Sequence, residues 1–171
     1  MTTAFKLYKL IVLYMLNCID FPLTDSQISE FVLEQGYTDY FKLHQVIGEL
    51  AEDGLIRKES THNRTLYYLT GEGEQTVQLL RNDISPEIRK DIETFLLMKK
   101  YEFKNEISVK SDYYLNSASE YSVRCQITEQ GLPLIDLTVS VPTKSEASTI
   151  ANNWSAKSQE IYDTVMKTLL R

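Results

Sequence analysis

Cysteine is almost missing from this chain, with Cys18 and Cys125 the only two among 171 residues. Two thiols that far apart, in no metal-ligand spacing, make no disulfide framework, and a reducing compartment, the cytoplasm, is the simpler expectation. Histidine is equally scarce: His44 and His62 are the whole supply. Without Cys or carboxylate ligands at the customary spacing beside them, no metal site is expected. Glycine occurs six times and forms no phosphate-cradling loop, since Gly71-Glu72-Gly73 lacks both a third glycine and a following Lys-Ser/Thr. That tripeptide reads instead as a tight turn into a capped helix. Long hydrophobic runs are absent too. The stretch Leu10 to Leu16 behind Lys6 and Lys9 is far shorter than the roughly twenty residues a membrane helix needs, and Asn17 before Cys18 is a poor processing site. No membrane association and no secretion are expected. A nucleophile beside a base, or a carboxylate pair at recognisable spacing, is also lacking, so the chain reads as a non-enzyme without a cofactor.

Positive charge is the scarcity that bears most on function. Lys and Arg number 18 against 24 Asp and Glu, for a formal charge of -6, which excludes a general nucleic-acid coat protein because sequence-independent binding rests on cations neutralising phosphates. Residues 1 to 82 hold 7 basic against 11 acidic side chains, and residues 83 to 171 hold 11 against 13. Any contact with a polyanion must come from a local patch.

What the chain does have is a 43% hydrophobic composition, enough to bury one or two small cores. Tyr8, Ile11, Val12, Met15 and Ile19 recur at helical spacing, while Leu10, Leu13, Tyr14 and Leu16 occupy other sides of the same helix. A helix apolar nearly all round is either a central core helix or one that also packs on a second domain or subunit. Pro22 ends it. Thr24 and Gln27 form a capping box for a second helix burying Ile28, Phe31 and Val32, closed by Gly36. Thr38 or Asp39 caps a third, whose buried stripe is Leu43, Val46, Ile47 and Leu50 and whose outward residues are Phe41, Lys42, His44, Gln45, Gly48, Glu49 and Glu52. Asp53-Gly54 stops it. Ile56 to Ser60 and Thr65 to Leu69 make a hairpin around the polar tip Thr61-His62-Asn63-Arg64.

Thr70 caps a short helix with Val77 and Leu80 inward, and Ser85-Pro86 starts a longer one, a linker between halves, with Ile88, Ile92, Phe95, Leu96 and Lys99 on one face. From Ile107 the period becomes two: Ile107, Val109, Tyr113; Tyr121, Val123, Cys125, Ile127; Ile135, Leu137, Val139, Val141. Connections at Asn116 to Ser119 and at Glu129-Gln130-Gly131 make these strands an antiparallel meander. Thr143 to Glu146 is a second capping box, and Ala147, Ile150, Ala151, Trp154, Ile161, Val165 and Leu169 form the stripe that lids the sheet. Tyr113, Tyr114 and Tyr121 fit either a small pocket or, more simply, the core. The expectation is an α+β chain: residues 1 to 84 an N-terminal winged helix-turn-helix, residues 85 to 171 a linker helix, a three-stranded antiparallel sheet and a long covering C-terminal helix.

A second helix carried on a small helical core, with a hairpin beside it, fits a DNA major groove while the hairpin tip reaches the backbone. The candidate contacts are Phe41, Lys42, His44 and Gln45 on the helix, and Arg57, Lys58, His62, Asn63 and Arg64 on the hairpin. His44 and His62 are expected beside solvent or phosphate. Two bland readings compete: Lys42 balancing Asp39 and Arg57 balancing Glu59, exposed pairs worth about 0 to 1 kcal/mol. The carboxylates of Glu49 and Glu52 oppose DNA, though they lie toward the far end of the helix, away from its base-reading start.

The run Leu43, Val46, Ile47, Leu50, Asp53-Gly54-Leu55-Ile56, then Tyr67, Leu69-Thr70 and Gly73, resembles bacterial winged-helix transcription regulators of the PadR-like and MarR-like type. Over its full length the chain is similar to an uncharacterised bacterial family in which a winged helix precedes a strand-rich C-terminal domain. The wing-tip glycine usual in such regulators is replaced here by His62-Asn63. The resemblance implies a transcription regulator that binds double-stranded DNA as a homodimer, its C-terminal domain serving dimerisation or the sensing of a small-molecule effector. A winged helix used only for protein contacts is the alternative, and it suits the outward Phe41.

Overall fold

The structure is a computed structural model and describes residues 3–170. Its contacts divide the chain into two units: the chain up to Ser60 together with Arg64–Lys104, and Thr61–Asn63 together with the chain from Asn105 onward. The boundary expected at residue 84 lies instead at 104, because the linker helix buries most of its apolar face within the first unit.

In the first unit α1 (Thr3–Asn17) has seven consecutive buried residues, Leu10 to Leu16. Of the two readings its all-round apolarity allowed, the central core helix is the one found: it packs on α3 (Tyr40–Glu52), α4 (Gly71–Leu80) and the strand β3 (Thr65–Leu69). A polar handle is tied off at its buried side, where the Tyr14 hydroxyl donates to the Glu93 carboxylate, and desolvation together with that bond pushes the phenol pKa well above its ordinary value. Between α1 and α2 (Asp25–Glu34) lies a two-residue strand, β1 (Leu23–Thr24), which no periodicity announces. It pairs with β3, and β3 with β2 (Ile56–Ser60), in an antiparallel sheet of order β1-β3-β2.

Local chemistry sets the helix ends. Thr24 Oγ1 accepts from the Gln27 N–H at 3.1 Å and the Gln27 side chain accepts from the Thr24 N–H at 2.9 Å, closing the capping box of α2. Asp39 caps α3 by accepting from the Lys42 N–H at 2.9 Å. Gly54, at φ +75, turns the chain from α3 into β2 in a conformation that other residues adopt at a cost. Gly73 is needed for a different reason: a Cβ there would land on the Leu55 carbonyl and 2.7 Å from a Leu69 methyl, so α4 lies as close as it does to the chain before β2 only because that position is bare.

The helix α5 (Pro86–Ser108) begins where Ser85 Oγ accepts from the Ile88 N–H at 3.2 Å. It runs further than the alternation from Ile107 suggests. Ile107 is not in a strand; it stands four residues after Phe103 on a helical face, and both are buried. Ile107 and Val109, two apart, fit the strand period, but Ile107 also continues the helical spacing of Leu96 and Phe103, and the helix wins because that stripe is already aligned.

The second unit is a meander, β4 (Val109–Leu115), β5 (Tyr121–Glu129) and β6 (Leu132–Val141), of order β4-β5-β6. Gln130 and Gly131, both at positive φ, form the two-residue β5–β6 turn, the geometry a tight hairpin prefers. Val109, Ser111 and Tyr113 lie in register with Ile127, Cys125 and Val123, and these with Ile135, Leu137 and Val139. α6 (Lys144–Leu169) covers this face with Ala147, Ala151 and Trp154, whose indole N–H donates to the Gln126 carbonyl at 3.0 Å. The opposite face is polar, with Arg124 forking onto Asp136 at 3.0 and 2.7 Å. That fork lowers the Asp136 carboxyl pKa and raises that of Arg124. Val139, expected inward, is 39% exposed, and Ile161 and Leu169, expected to help lid the sheet, are exposed as well.

Candidate nucleic-acid interface

α3 is sharply two-sided. Leu43, Val46, Ile47 and Leu50 are buried, as their spacing requires, and this fixes which residues the helix can present. Phe41 is 82% exposed and Tyr40 52%, their rings nearly perpendicular with centroids 6.0 Å apart. Tyr40 joins this outward face although it is absent from the expected contacts. Its signal was there: four residues before His44 on a helix surface, it stacks on the imidazole at 4.1 Å.

That stacking, and the Asp25 carboxylate 3.4 Å from Nε2, hold His44 half-buried between α2 and α3. Its Nε2 makes no hydrogen bond and is shielded from solvent, so His44 faces neither water nor phosphate freely. Lys42 lies 3.7 Å from Asp39, the modest pairing that the bland reading anticipates. Gln45 stays exposed and donates to Glu49 at 3.3 Å.

Glu49 is the other surprise. Lys9 of α1, with only 12% of its side chain exposed, reaches it at 2.7 Å. Its carboxyl pKa is held below the ordinary range, first by the Lys9 hydrogen bond and then by Gln45. A partner forty residues away leaves no trace in a local pattern. The effect is to neutralise one of the two carboxylates that weigh against a polyanion on this face; Glu52 remains exposed.

On β2, Arg57 lies over the Tyr68 ring at 4.1 Å and 3.6 Å from Glu59. Lys58, beside it and exposed, forms no ion pair among the described residues. Arg64 is half-buried.

The hairpin tip behaves differently from its expectation. Thr61–Asn63 belong to the second unit, and His62, expected beside solvent or phosphate, has only 10% of its side chain exposed. The Asp112 carboxylate accepts from the His62 backbone N–H and meets its Nδ1, both at 3.2 Å, and the ring stacks on Tyr113 at 4.9 Å. Tyr113 also meets Tyr121 edge-on at 6.4 Å, so these tyrosines pack with His62 and the sheet, and Tyr114 is exposed. A tip that lacks the usual glycine has a side chain to bury, and an aromatic neighbour takes it. Asn63 stays exposed and accepts from the Thr61 hydroxyl at 3.2 Å.

Among the described residues no three His, Cys, Asp or Glu side chains gather as metal ligands, and no helix is long and apolar enough to cross a membrane. Compared with known proteins, the chain matches the model of one family, described as a domain of unknown function (DUF4364), over residues 8–169. No curated protein and no solved structure matches it.

Proposed function

The chain belongs to the DUF4364 family, whose description assigns no activity, and from the geometry of its first unit we propose that it is a winged helix-turn-helix regulator, cytoplasmic, that reads double-stranded DNA as a homodimer. The order α1, β1, α2, α3, β2, β3 supports this reading, in which α3 would serve as the reading helix and β2–β3 as the wing. The observation that carries the reading is the sidedness of α3. Its core stripe is sealed, its first two turns present Phe41, Lys42 and Gln45, and the nearest carboxylate beyond them, Glu49, is neutralised by Lys9. Lys42 and Gln45 suit phosphate or base edges and Phe41 a thymine methyl. Nothing lies within 4 Å of where a Gly48 side chain would stand, which leaves room for a duplex against the middle of the helix.

With His62 occupied by Asp112 and Tyr113, phosphate contacts from the wing fall to Arg57 and Lys58 rather than to its tip. Cations so few make weak binding for one copy, and two related by symmetry supply the remainder.

A protein-interaction module is the second reading. The exposed Tyr40–Phe41 pair favours it, since aromatic residues are enriched at protein interfaces, and so do the Lys42–Asp39 and Arg57–Glu59 pairings.

Fluorescence anisotropy against labelled genomic DNA fragments over a salt series separates the two. Saturable binding is expected, with a log–log slope of about -0.9 per phosphate contact. The slope should flatten in Lys42→Ala, Arg57→Ala and Lys58→Ala, and a Gly48→Glu substitution should abolish binding outright. Absence of binding at every salt concentration sinks the regulator and leaves the protein module.

A further inference from the structure

The apolar stripe of α6 outlasts the sheet it covers. Ala147, Ala151, Trp154 and Ser158 are buried, and no residue of the helix after Ser158 is. The spacing nevertheless continues through Ile161, Tyr162, Val165, Met166 and Leu169. At 100° per residue these five fall within a sector of roughly 140°, with Glu160, Asp163 and Lys167 on the opposite side. Ile161 and Met166 are 36% and 38% exposed, and Leu169 and Leu170 75% and 76%. From Gln159 to Leu169 the helix extends about 17 Å at 1.5 Å per residue.

We infer that this stripe is covered by the same segment of a second copy of the chain, in a two-fold, helix-against-helix contact. The charge pattern selects that occupant. No acidic or basic side chain lies in the apolar sector, so a charged partner has nothing to grip, while two identical stripes meet without repulsion. The charges outside it, Lys157 and Lys167 against Glu160 and Asp163, balance. Lys157 already lies 3.7 Å from Glu160, and Gln159 donates to Asp163 at 3.0 Å, so Lys157, Glu160 and Asp163 have partners on their own helix. An isologous contact of this kind closes at two copies. It is also short. Three turns bury less than the roughly 800 Å² per partner of a standard interface, which makes the dimer reversible and sensitive to dilution. Its purpose rests on the DNA-binding reading, which calls for two reading helices; its existence does not.

Sedimentation equilibrium of the full chain, from low to high micromolar concentration, tests it. The wild type is expected to pass from monomer to dimer, and Ile161→Asp/Val165→Asp to remain monomeric throughout with unchanged circular dichroism and Trp154 fluorescence. Should the double variant fail to fold, Leu169→Glu, at a position three-quarters exposed, is expected to weaken the dimer at least tenfold. A wild type monomeric at every concentration overturns the inference, as does a dimer that all these variants leave intact. The anisotropy series is read separately: a dimer that these substitutions break, in a protein that never binds DNA, removes the regulator and keeps this interface.

Discussion

α3 of the first unit and α6 of the second carry apolar stripes of the same helical spacing and bury them to different lengths. Leu43, Val46, Ile47 and Leu50 are covered over the whole of α3, whereas α6 loses its cover after Ser158. The difference lies in what each helix packs on. The first unit has four neighbouring helices and a sheet feeding one core, from Leu10 to Phe103. The second has a three-stranded sheet and one helix, with Val123, Cys125, Ala147, Ala151 and Trp154 as its fully buried cluster. A small layer buries a smaller share of its surface and leans harder on each buried side chain.

The sharpest way to break the comparison is to remove one large residue from each core. Trp154→Ala should cost about 3–5 kcal/mol and Leu50→Ala about 2–5 kcal/mol. Because Trp154 is the only tryptophan, its fluorescence reports the second unit during urea unfolding while far-UV circular dichroism reports both. Leu50→Ala is expected to shift the circular dichroism transition and leave the fluorescence midpoint in place; a common shift would mean that the units unfold as one.

Next in size is a contrast of two glycines in the first unit. Gly73→Ala drives a methyl into the Leu55 carbonyl and should cost about 3 kcal/mol, the upper range for overpacking. Gly48→Ala, in open space on α3, should stabilise by about 0.5–1 kcal/mol. Equilibrium urea unfolding measures both, and equal effects would contradict the close approach at Gly73.

Smaller again are the two capping boxes. Thr24→Ala in the first unit and Thr143→Ala in the second each remove an Oγ that accepts from the N–H three residues on, at about 1 kcal/mol apiece. Thermal unfolding should show the larger fractional loss in the second unit, which has less core in reserve.

The mildest probe is acid. Glu49, held by Lys9, and Asp136, held by Arg124, both titrate below their ordinary range in the folded protein. Their contribution is therefore complete above the unfolded carboxyl pKa near 4 and is lost as pH falls through the folded values. Lys9→Met and Arg124→Met should flatten the acid limb of the stability profile for the first and second unit respectively. An unchanged limb would show that neither pair matters in solution.

Much of this architecture is legible in the residues. The stripe of α3, both capping boxes, the hairpin bounds around Thr61 to Arg64 and the three-strand meander follow from spacing and cap chemistry, because those effects act within one or two turns of chain. The candidate interface is legible only in outline. Phe41, Lys42 and Gln45 point outward as the helical wheel requires, yet the offsetting of the Glu49 charge depends on Lys9, and the burial of His62 on Asp112. The end of α5 is a further case: Ile107 reads as strand by alternation and is helical because Phe103 and Leu96 already set the buried face.

The sequence by itself determined where helices start, which face of each is apolar, and that any cationic surface would be local, since capping chemistry, side-chain period and net charge are properties of neighbouring residues. Only the tertiary structure decided the two-residue strand at Leu23, the boundary at residue 104, the pairing of Lys9 with Glu49, the loss of His62 from the solvent and the unburied end of α6. Each of these depends on which distant side chain arrives first at a given polar or apolar group, and that is settled by packing.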